Sequence, residues 1–561
     1  MSLKFKTGLA GMAFAAALAS AASSPRKVVA LGWQFHGVDP KELLANADAF
    51  EETGLDGVEI SLNGRMPDGK EFSTSTVQIN GRWRKKTHDY EPFVFDRSMF
   101  EHHIPVLREL VKRPCFRHSF LVAVYRSPRR YGRLDWRDDA AWARVATNSS
   151  VLASIARDGG VKGLVMDCED YFQQSQYRVK PGDPPFDEAS RLARQRGSEV
   201  FGAVFRAHPE ATVLSFWLLS WNWGYFTSED PLGDMRESGD LWPSFVNGVI
   251  DAMPPTATLV DGDEKGYGYD FRHGDFAASA YFQGVKALEL VAPENREKYR
   301  RQVRIGFGLY LDRYVRPSKI GWFGKIDGTP GGHFRRNFSD ACRFAQEYVW
   351  LWGEKRSWVK WNLWTGKAAK KKNYERTWED DMPGMCEAVR FLKSGESGVE
   401  RKFEEMRSAG ALTNLVAAEC MRPDGGVEWV GDPPEFSIVG VRSGKLEASV
   451  KGVKPGDWYA VEATMRGVAA SGHVRFRAAD GTWCAPPGGR KGLRVAPSDE
   501  SGEVWRRGRA FVCVPPGSDE LVVWLRSSSK MGPDFFTANG PDGDKSHRAA
   551  FKDVAIYKVF Q

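Results

Sequence analysis

The sequence predicts an α/β fold, a (β/α)8 TIM-type barrel, followed by an all-β sandwich, on three observations. From Lys27 to about residue 400, short apolar β-branched runs alternate with helical stretches, and eight such runs occur, as a closed parallel barrel with enlarged loops requires. No G-x-G-x-x-G follows the first run, which counts against a doubly wound dinucleotide-binding sheet. Past residue 400 the helical stretches stop and short strands recur between turns, the pattern of a sandwich.

The elements follow in order. Val28-Val29-Ala30-Leu31-Gly32-Trp33 reads as the first strand. The stretch from Pro40 to Thr53 carries Leu43, Leu44, Ala47 and Phe50 at helical spacing, and Gly54 stops it. The further strands are expected at Asp56 to Leu62, His118 to Tyr125, Val161 to Asp167, Thr212 to Trp221, Ala257 to Val260, Val303 to Leu311 and Glu347 to Trp352. Helices are expected at Ala140 to Asp158, Phe186 to Ala207 and Ser339 to Gln346. The Gly-, Pro- and charge-rich segments 63–98 and 222–245 read as loops over the C-terminal face, where barrel sites lie. The barrel is placed at residues 25–400 and the sandwich at 411–561, with a charged helix from Gly398 to Met406 before it. Sandwich strands are expected at Pro434 to Val441, Leu446 to Val450, Trp458 to Met465, His473 to Ala478, Gly508 to Val514 and Glu520 to Leu525.

Lys4 and Lys6 precede an Ala-rich apolar stretch from Gly8 to Ala22, which ends in small residues around Ala19-Ser20-Ala21. This predicts a signal peptide over residues 1–24 and a secreted or periplasmic protein. The apolar run is shorter than the ~20 residues of a spanning helix, so no membrane span is expected. The first cysteine is Cys115, which leaves no lipid-attachment site near the cleavage point.

The net charge of +7, from 79 basic and 72 acidic residues, is small for 561 residues. Without a recognition motif it is no nucleic-acid footprint, though it suits an anionic ligand. Two basic runs, Arg82-Trp83-Arg84-Lys85-Lys86 and Lys370-Lys371-Lys372, read as solvated loops, with a sulfated or uronic-acid sugar as the sharper alternative. The seven cysteines (115, 168, 342, 386, 420, 484, 513) lack C-x-x-C spacing, so neither a metal site nor a redox motif is expected. A disulfide such as Cys484–Cys513 is left open. No cofactor and no obligate protein partner is expected.

Chemistry concentrates at strand ends. In Gly163-Leu164-Val165-Met166-Asp167-Cys168-Glu169-Asp170-Tyr171, Asp167 and Glu169 share one face of a strand. Two neighbouring acids repel when both ionise, so one pKa rises and an acid sits beside a base. Cys168, on the opposite face, reads as a packed thiol. After the sixth strand, Asp261-Gly262-Asp263-Glu264-Lys265-Gly266-Tyr267-Gly268-Tyr269-Asp270 offers either a second carboxylate wall with tyrosine contacts, a calcium loop lacking full EF-type spacing, or a plain acidic loop. In the last strand Tyr348, Trp350, Trp352 and Glu354 share a face, which would floor a pocket with two indoles and put Glu354 at its rim. Strand seven ends at Asp312, strand one at Trp33 and His36, and strand five at Trp217 and Trp221. Acids interleaved with tryptophans form a sugar-site composition.

Two resemblances add to this reading. Asn414-Leu415, Val453-Lys454-Pro455-Gly456-Asp457-Trp458-Tyr459 and Phe551-Lys552-Asp553-Val554-Ala555-Ile556-Tyr557 resemble the jelly-roll carbohydrate-binding modules appended to secreted glycosidases, over residues 411–561. The strand-four Asp167-x-Glu169 is distantly similar to the signature of the family 18 chitinases, in which the Glu is the acid and the Asp assists it. Val165 and Lys162 stand where that family has its two earlier acids, and Tyr171 sits one place later than its tyrosine.

The function expected is therefore a secreted glycoside hydrolase acting on a polysaccharide or oligosaccharide. Glu169 would be the general acid/base, Asp167 its orienting partner and Glu264 the opposing carboxylate, with Asp263 next. Substrate contacts are expected from Trp33, His36, Trp217, Trp221, Asp261, Asp263, Tyr267, Tyr269, Asp312, Trp350, Trp352 and Glu354. Carboxyl groups about 5–5.5 Å apart would mean retention, and roughly 6.5–9.5 Å inversion. In a substrate-assisted variant Asp167 and Glu169 suffice and Glu264 only binds. The rivals are a non-catalytic polysaccharide-binding protein with a degenerate barrel, and a polysaccharide lyase with a Tyr or His base.

Overall fold

The computed structural model describes residues 25–66, 68–75, 79, 81–84, 89–125, 133–169, 176–317, 321–326, 328–361, 372–416, 421–424, 427–430, 435–439, 445–466, 470–484, 491–494, 504–527 and 548–560. The expected signal peptide, Asp170, Tyr171 and the basic run at 370–372 except for Lys372 lie outside these residues, as do Lys85 and Lys86. The chain divides into two compact units between Gly395 and Glu396.

The first unit is an α/β barrel. Its strands are β1 (Lys27–Gly32), β2 (Gly57–Ile60), β3 (Phe120–Val124), β4 (Gly163–Asp167), β5 (Thr212–Ser215), β6 (Thr258–Asp261), β7 in two segments (Val303–Ile305 and Phe307–Tyr310) and β8 (Tyr348–Gly353). All pair in parallel, from β6 through β5, β4, β3, β2 and β1 to β8. β7 closes the barrel: its first segment pairs with β6 and its second with β8. Gly306 makes this switch, donating its N–H to the Asp261 carbonyl at 2.9 Å. A Cβ there would lie 2.9 Å from Val260 Cγ1 and 3.1 Å from the Asp261 oxygen, so only glycine fits the crossing. β2, β3 and β4 are buried at every residue, as strands covered on both faces must be, which is why they read as unbroken apolar runs.

Helices follow the strands. Asp139–Gly159 is capped by the Asp138 side chain on the Ala141 N–H and ends at the left-handed Gly160, and Phe186–Ala207 follows β4. The expected helix from Pro40 to Thr53 is instead two, Pro40–Ala45 and Ala47–Glu51. Asn46 interrupts them, with non-helical backbone and its side chain on the Glu42 carbonyl at 2.8 Å. The helix expected at Ser339 starts earlier, over Pro330–Phe344, where Thr329 caps the Gly332 N–H and Pro330 takes the first position. β5 stops at Ser215 rather than Trp221, and Leu219–Tyr225 is a 3-10 turn. The loop after β2 carries two small hairpins, Asn63–Arg65 with Glu71–Ser73 and Gly81–Arg84 with Asp89–Pro92. Segment 222–245 contains the helix Pro231–Ser238 and the start of Trp242–Ala252.

The second unit is a β-sandwich. Its strands are β9 (Met421–Asp424), β10 (Val427–Val430), β11 (Glu435–Val439), β12 (Lys445–Lys451), β13 (Trp458–Arg466), β14 (Ala470–Arg477), β15 (Trp483–Cys484), β16 (Lys491–Arg494), β17 (Arg506–Cys513), β18 (Glu520–Ser527) and β19 (Arg548–Lys558). One antiparallel sheet runs β9-β12-β18-β14-β15, with β16 also on β14, and the other β10-β11-β19-β13-β17. Leu446, Val474, Phe476, Leu521 and Val523 of the first sheet meet Val461, Met465, Val512, Phe551 and Ile556 of the second in a common core. The helix Glu396–Ser408 groups with this unit: Phe403 packs on Phe511 and Tyr557. Its Arg407, with Arg507 and Arg509, pairs with the buried Glu462, and its Glu404 pairs with Arg509. Cys484 and Cys513 are free thiols, on strands of opposite sheets.

Candidate active site

β4 delivers the first two acids. Asp167 is its last residue and is buried. Its carbonyl accepts the Tyr125 N–H at 2.7 Å and its Oδ1 accepts the Glu169 N–H at 3.2 Å. Asp167 thus turns the chain at the strand end and aims Glu169, which is half-buried.

β6 delivers the third. Three acids follow one another here, and the fold gives each a different task. Asp261 is fully buried and accepts from the N–H groups of Leu218 and Ser220, both at 2.8 Å, and from the Ser220 hydroxyl. It therefore braces the turn after β5 and makes no substrate wall, which is also why β5 ends early. Asp263 is fully buried too, against the Ser279 hydroxyl, with Gln283 and Tyr269 each at 3.4 Å. Burial, with the Asp261 charge adding, pushes its carboxyl up to about 7. Its backbone is left-handed, φ 41°, unusual for a residue with a Cβ. That kink sends the next residue inward, and Glu264 is anchored by its N–H on the Phe216 carbonyl at 2.9 Å.

The Glu264 side chain is hydrogen-bonded to that of Glu169. Burial pushes the Glu264 carboxyl up to about 8, and the charges of Asp167 and Asp263 raise it further, against the opposing effect of the Glu169 bond. Near neutral pH the pair shares a proton, which belongs to both groups together.

Tyrosines and tryptophans close around the pair. Burial, and the nearness of Glu264, Glu169, Tyr310 and Glu354, keeps the Tyr267 hydroxyl protonated. Tyr267 stacks on Tyr310 at 5.3 Å, and the Tyr310 hydroxyl bonds to Glu354. Trp350 is wholly enclosed, stacked on Phe216 at 4.9 Å with its indole N–H on the Gly262 carbonyl at 2.7 Å. It is barrel core, and offers no face to a substrate. Trp352 is half-buried, edge-on to Phe216 and His36. Its indole N–H lies 3.4 Å from Glu354, which also faces Lys355 at 3.5 Å. Asp312, assigned to substrate by its place after β7, is fully buried and accepts the Glu354 N–H at 2.9 Å, so it supports Glu354 from behind. Tyr269 is turned toward Asp263 and Phe276 instead of the pair.

Two of the expected aromatic contacts, Trp33 and Trp221, lie at the surface, and Trp217 is buried beneath Trp221. Trp33 is 38% exposed, with the Lys355 ammonium 4.5 Å above its ring. Trp217 stacks on Trp221 at 4.5 Å, and Trp221 is 45% exposed. Lys265 donates to the Trp221 carbonyl at 2.7 Å. His36 is paired with Glu59 at 3.2 Å. Glu59 was missed from sequence: it is buried in β2, where it also accepts the Gly32 N–H, and its Oε2 has no partner among the described residues. A lone acid in Gly57-Val58-Glu59-Ile60 was its only signal. Cys168 is a buried thiol beside Ser215 and Trp217. Among the described residues no group of three or more His, Cys, Asp and Glu is arranged to hold a metal, and no helix is long and apolar enough to cross a membrane.

No protein-family model matches the chain, and no curated protein matches it either. The strand-four likeness to the family 18 chitinases stays a likeness of two residues. Among solved structures, the chain is similar to a Paenibacillus sp. cycloisomaltooligosaccharide glucanotransferase complexed with cycloisomaltoheptaose, at 7% identity and a TM-score of 0.24, over 96% of this chain and 58% of that one. The CBM22-1 xylan-binding domain from Paenibacillus barcinonensis Xyn10C gives 12% identity and a TM-score of 0.19, over 26% of this chain and 89% of that one. The enzymatically active domain of bacteriophage CBA120 tailspike protein 4 gives 14% and 0.18, over 24% of this chain and 18% of that one. This chain thus spans less than two thirds of both the tailspike domain and the glucanotransferase.

Proposed function

We propose that the barrel is a glycoside hydrolase acting on a polysaccharide or glycan, with Glu169 as general acid/base, Asp167 orienting it and Glu264 as the opposing carboxylate. The observation that carries this reading is the hydrogen bond between the Glu169 and Glu264 carboxyls at the strand ends. Two acids sharing a proton supply one donor and one carboxylate, the division of labour that glycosidic cleavage needs. The glycosidic oxygen enters between them and takes the shared proton from the pair through Glu169 as its bond to the anomeric carbon breaks. That leaves Glu264 as a carboxylate facing the positive charge at the anomeric carbon, and water completes the hydrolysis. Partly exposed indoles of Trp33, Trp221 and Trp352 offer flat apolar surface to sugar rings. A lyase with a tyrosine base is less well supported, because Tyr267, the tyrosine beside the pair, is held protonated by burial. Secretion belongs to the same proposal, since a polysaccharide is met outside the cell.

The test is release of reducing ends by the mature protein from a panel of neutral, amino, uronic and sulfated polysaccharides, beside Glu169→Gln. Release that falls by orders of magnitude in the variant, with substrate binding kept, supports the proposal. Binding without release in either protein would make the barrel a polysaccharide-binding module.

A further inference from the structure

The residue after Glu264 is a cation. Lys265 lies in the 3-10 turn Glu264–Gly268 that follows β6, and it is half-buried. Its side chain reaches the turn after β5, where Nζ donates to the Trp221 carbonyl at 2.7 Å and lies 5.2 Å from the centre of the Trp221 ring. An ammonium has three hydrogens to donate, and this carbonyl takes one. Among the described residues no carboxylate forms an ion pair with it. Burial lowers the Lys265 pKa, and it is the largest effect there, against the through-space pull of Asp263 and Asp261. Those acids are occupied elsewhere: Asp261 holds Leu218 and Ser220, and Asp263, against Ser279, is protonated below about pH 7. Glu264 itself keeps its proton up to about pH 8.

A partly desolvated cation without an ion-pair partner gains more from an incoming anion than a solvated surface lysine does. Beside this one stands an exposed indole, Trp221, backed by the stacked ring of Trp217. A flat apolar surface next to an ammonium suits a ligand that is both ring-shaped and negatively charged. We propose that Lys265 forms a subsite for an anionic substituent, the carboxylate of a uronic acid or a sulfate ester, on the sugar unit that lies at Trp221 beside the acid pair. The inference rests on the barrel being the site where glycan binds, and it narrows the substrate to acidic glycans. It does not require that the acid pair be catalytic.

The test is affinity electrophoresis at pH 7 of the full chain carrying Glu169→Gln, in gels containing polygalacturonate, dextran sulfate or neutral dextran, each read against a polymer-free gel. Retardation by a charged polymer is expected, and comparing the two tells carboxylate from sulfate. Lys265→Gln, which keeps a donor for the Trp221 carbonyl, should weaken that binding about tenfold. Lys265→Arg, which keeps the charge, should restore most of it, and neither change should alter the response to neutral dextran. No retardation by either charged polymer, equal retardation in Lys265→Gln, or the same loss in Lys265→Arg as in Lys265→Gln would each overturn the proposal. The two readings fail separately. Lys265-dependent retardation without release of reducing ends by the wild-type protein removes the hydrolase and keeps the subsite. Release from neutral polysaccharides alone keeps the hydrolase and removes the subsite.

Discussion

Glu169, two residues past Asp167 at the end of β4, is hydrogen-bonded through its side chain to Glu264, three residues past the end of β6. Two acidic segments almost a hundred residues apart in the chain therefore meet at one end of the barrel. Burial and the neighbouring carboxylates keep a proton there near neutral pH.

Removing either acid should remove the chemistry. Glu169→Gln and Glu264→Gln are each expected to lower turnover by roughly 10²–10⁴-fold, and the double variant by little more than the worse single one. Steady-state kinetics of the three variants check this. Losses that multiply would show the two carboxyls acting independently.

The same burial makes stability depend on pH. Glu264 and Asp263 have folded-state pKa values raised above their ordinary ones, to about 8 and about 7. Their contribution is complete below the ordinary carboxylate range and is lost as pH rises through those values. Stability should thus decline between about pH 5 and pH 8. Glu264→Gln and Asp263→Asn should flatten the decline, by on the order of 1–3 kcal/mol each at pH 8. Urea unfolding at pH 5, 6.5 and 8 reads it directly.

Asp261 should matter for folding and for the site together. Asp261→Ala leaves the N–H groups of Leu218 and Ser220 without their acceptor in a dry interior, at a cost of about 2–4 kcal/mol. It should also loosen the Trp217–Trp221 stack that this turn carries. Denaturation midpoints, with the indole fluorescence of Trp221→Phe as control, measure both effects.

The tryptophans should separate by depth. Trp350→Ala is expected to destabilise by about 3–5 kcal/mol, because the ring is fully enclosed. Trp221→Ala removes a ring that is 45% exposed, so it should raise KM and leave stability within about 0.5 kcal/mol.

Much of this was legible in the sequence. The eight strands appear as β-branched apolar runs because barrel strands are buried on both faces, and Asp167, Glu169 and Glu264 were singled out because acids follow those runs. Alternation gives the face of a residue but not its depth. Asp261, Asp312 and Trp350 therefore read as site residues, whereas the fold buries them as braces and core. β5 reads as running on to Trp221 because nothing local reveals that Asp261, forty residues later, captures the turn. The Pro330 helix start was hidden by Gly331-Gly332, although Thr329-Pro330 marks it.

The shared proton is tested most directly by isotope-edited infrared spectroscopy of the glutamate carboxyls at pH 7. A protonated carboxyl band is expected in the wild-type protein, lost above about pH 8 and absent or displaced in both Glu169→Gln and Glu264→Gln. A wild-type spectrum with every glutamate ionised at pH 7, or a band untouched by both substitutions, would contradict it.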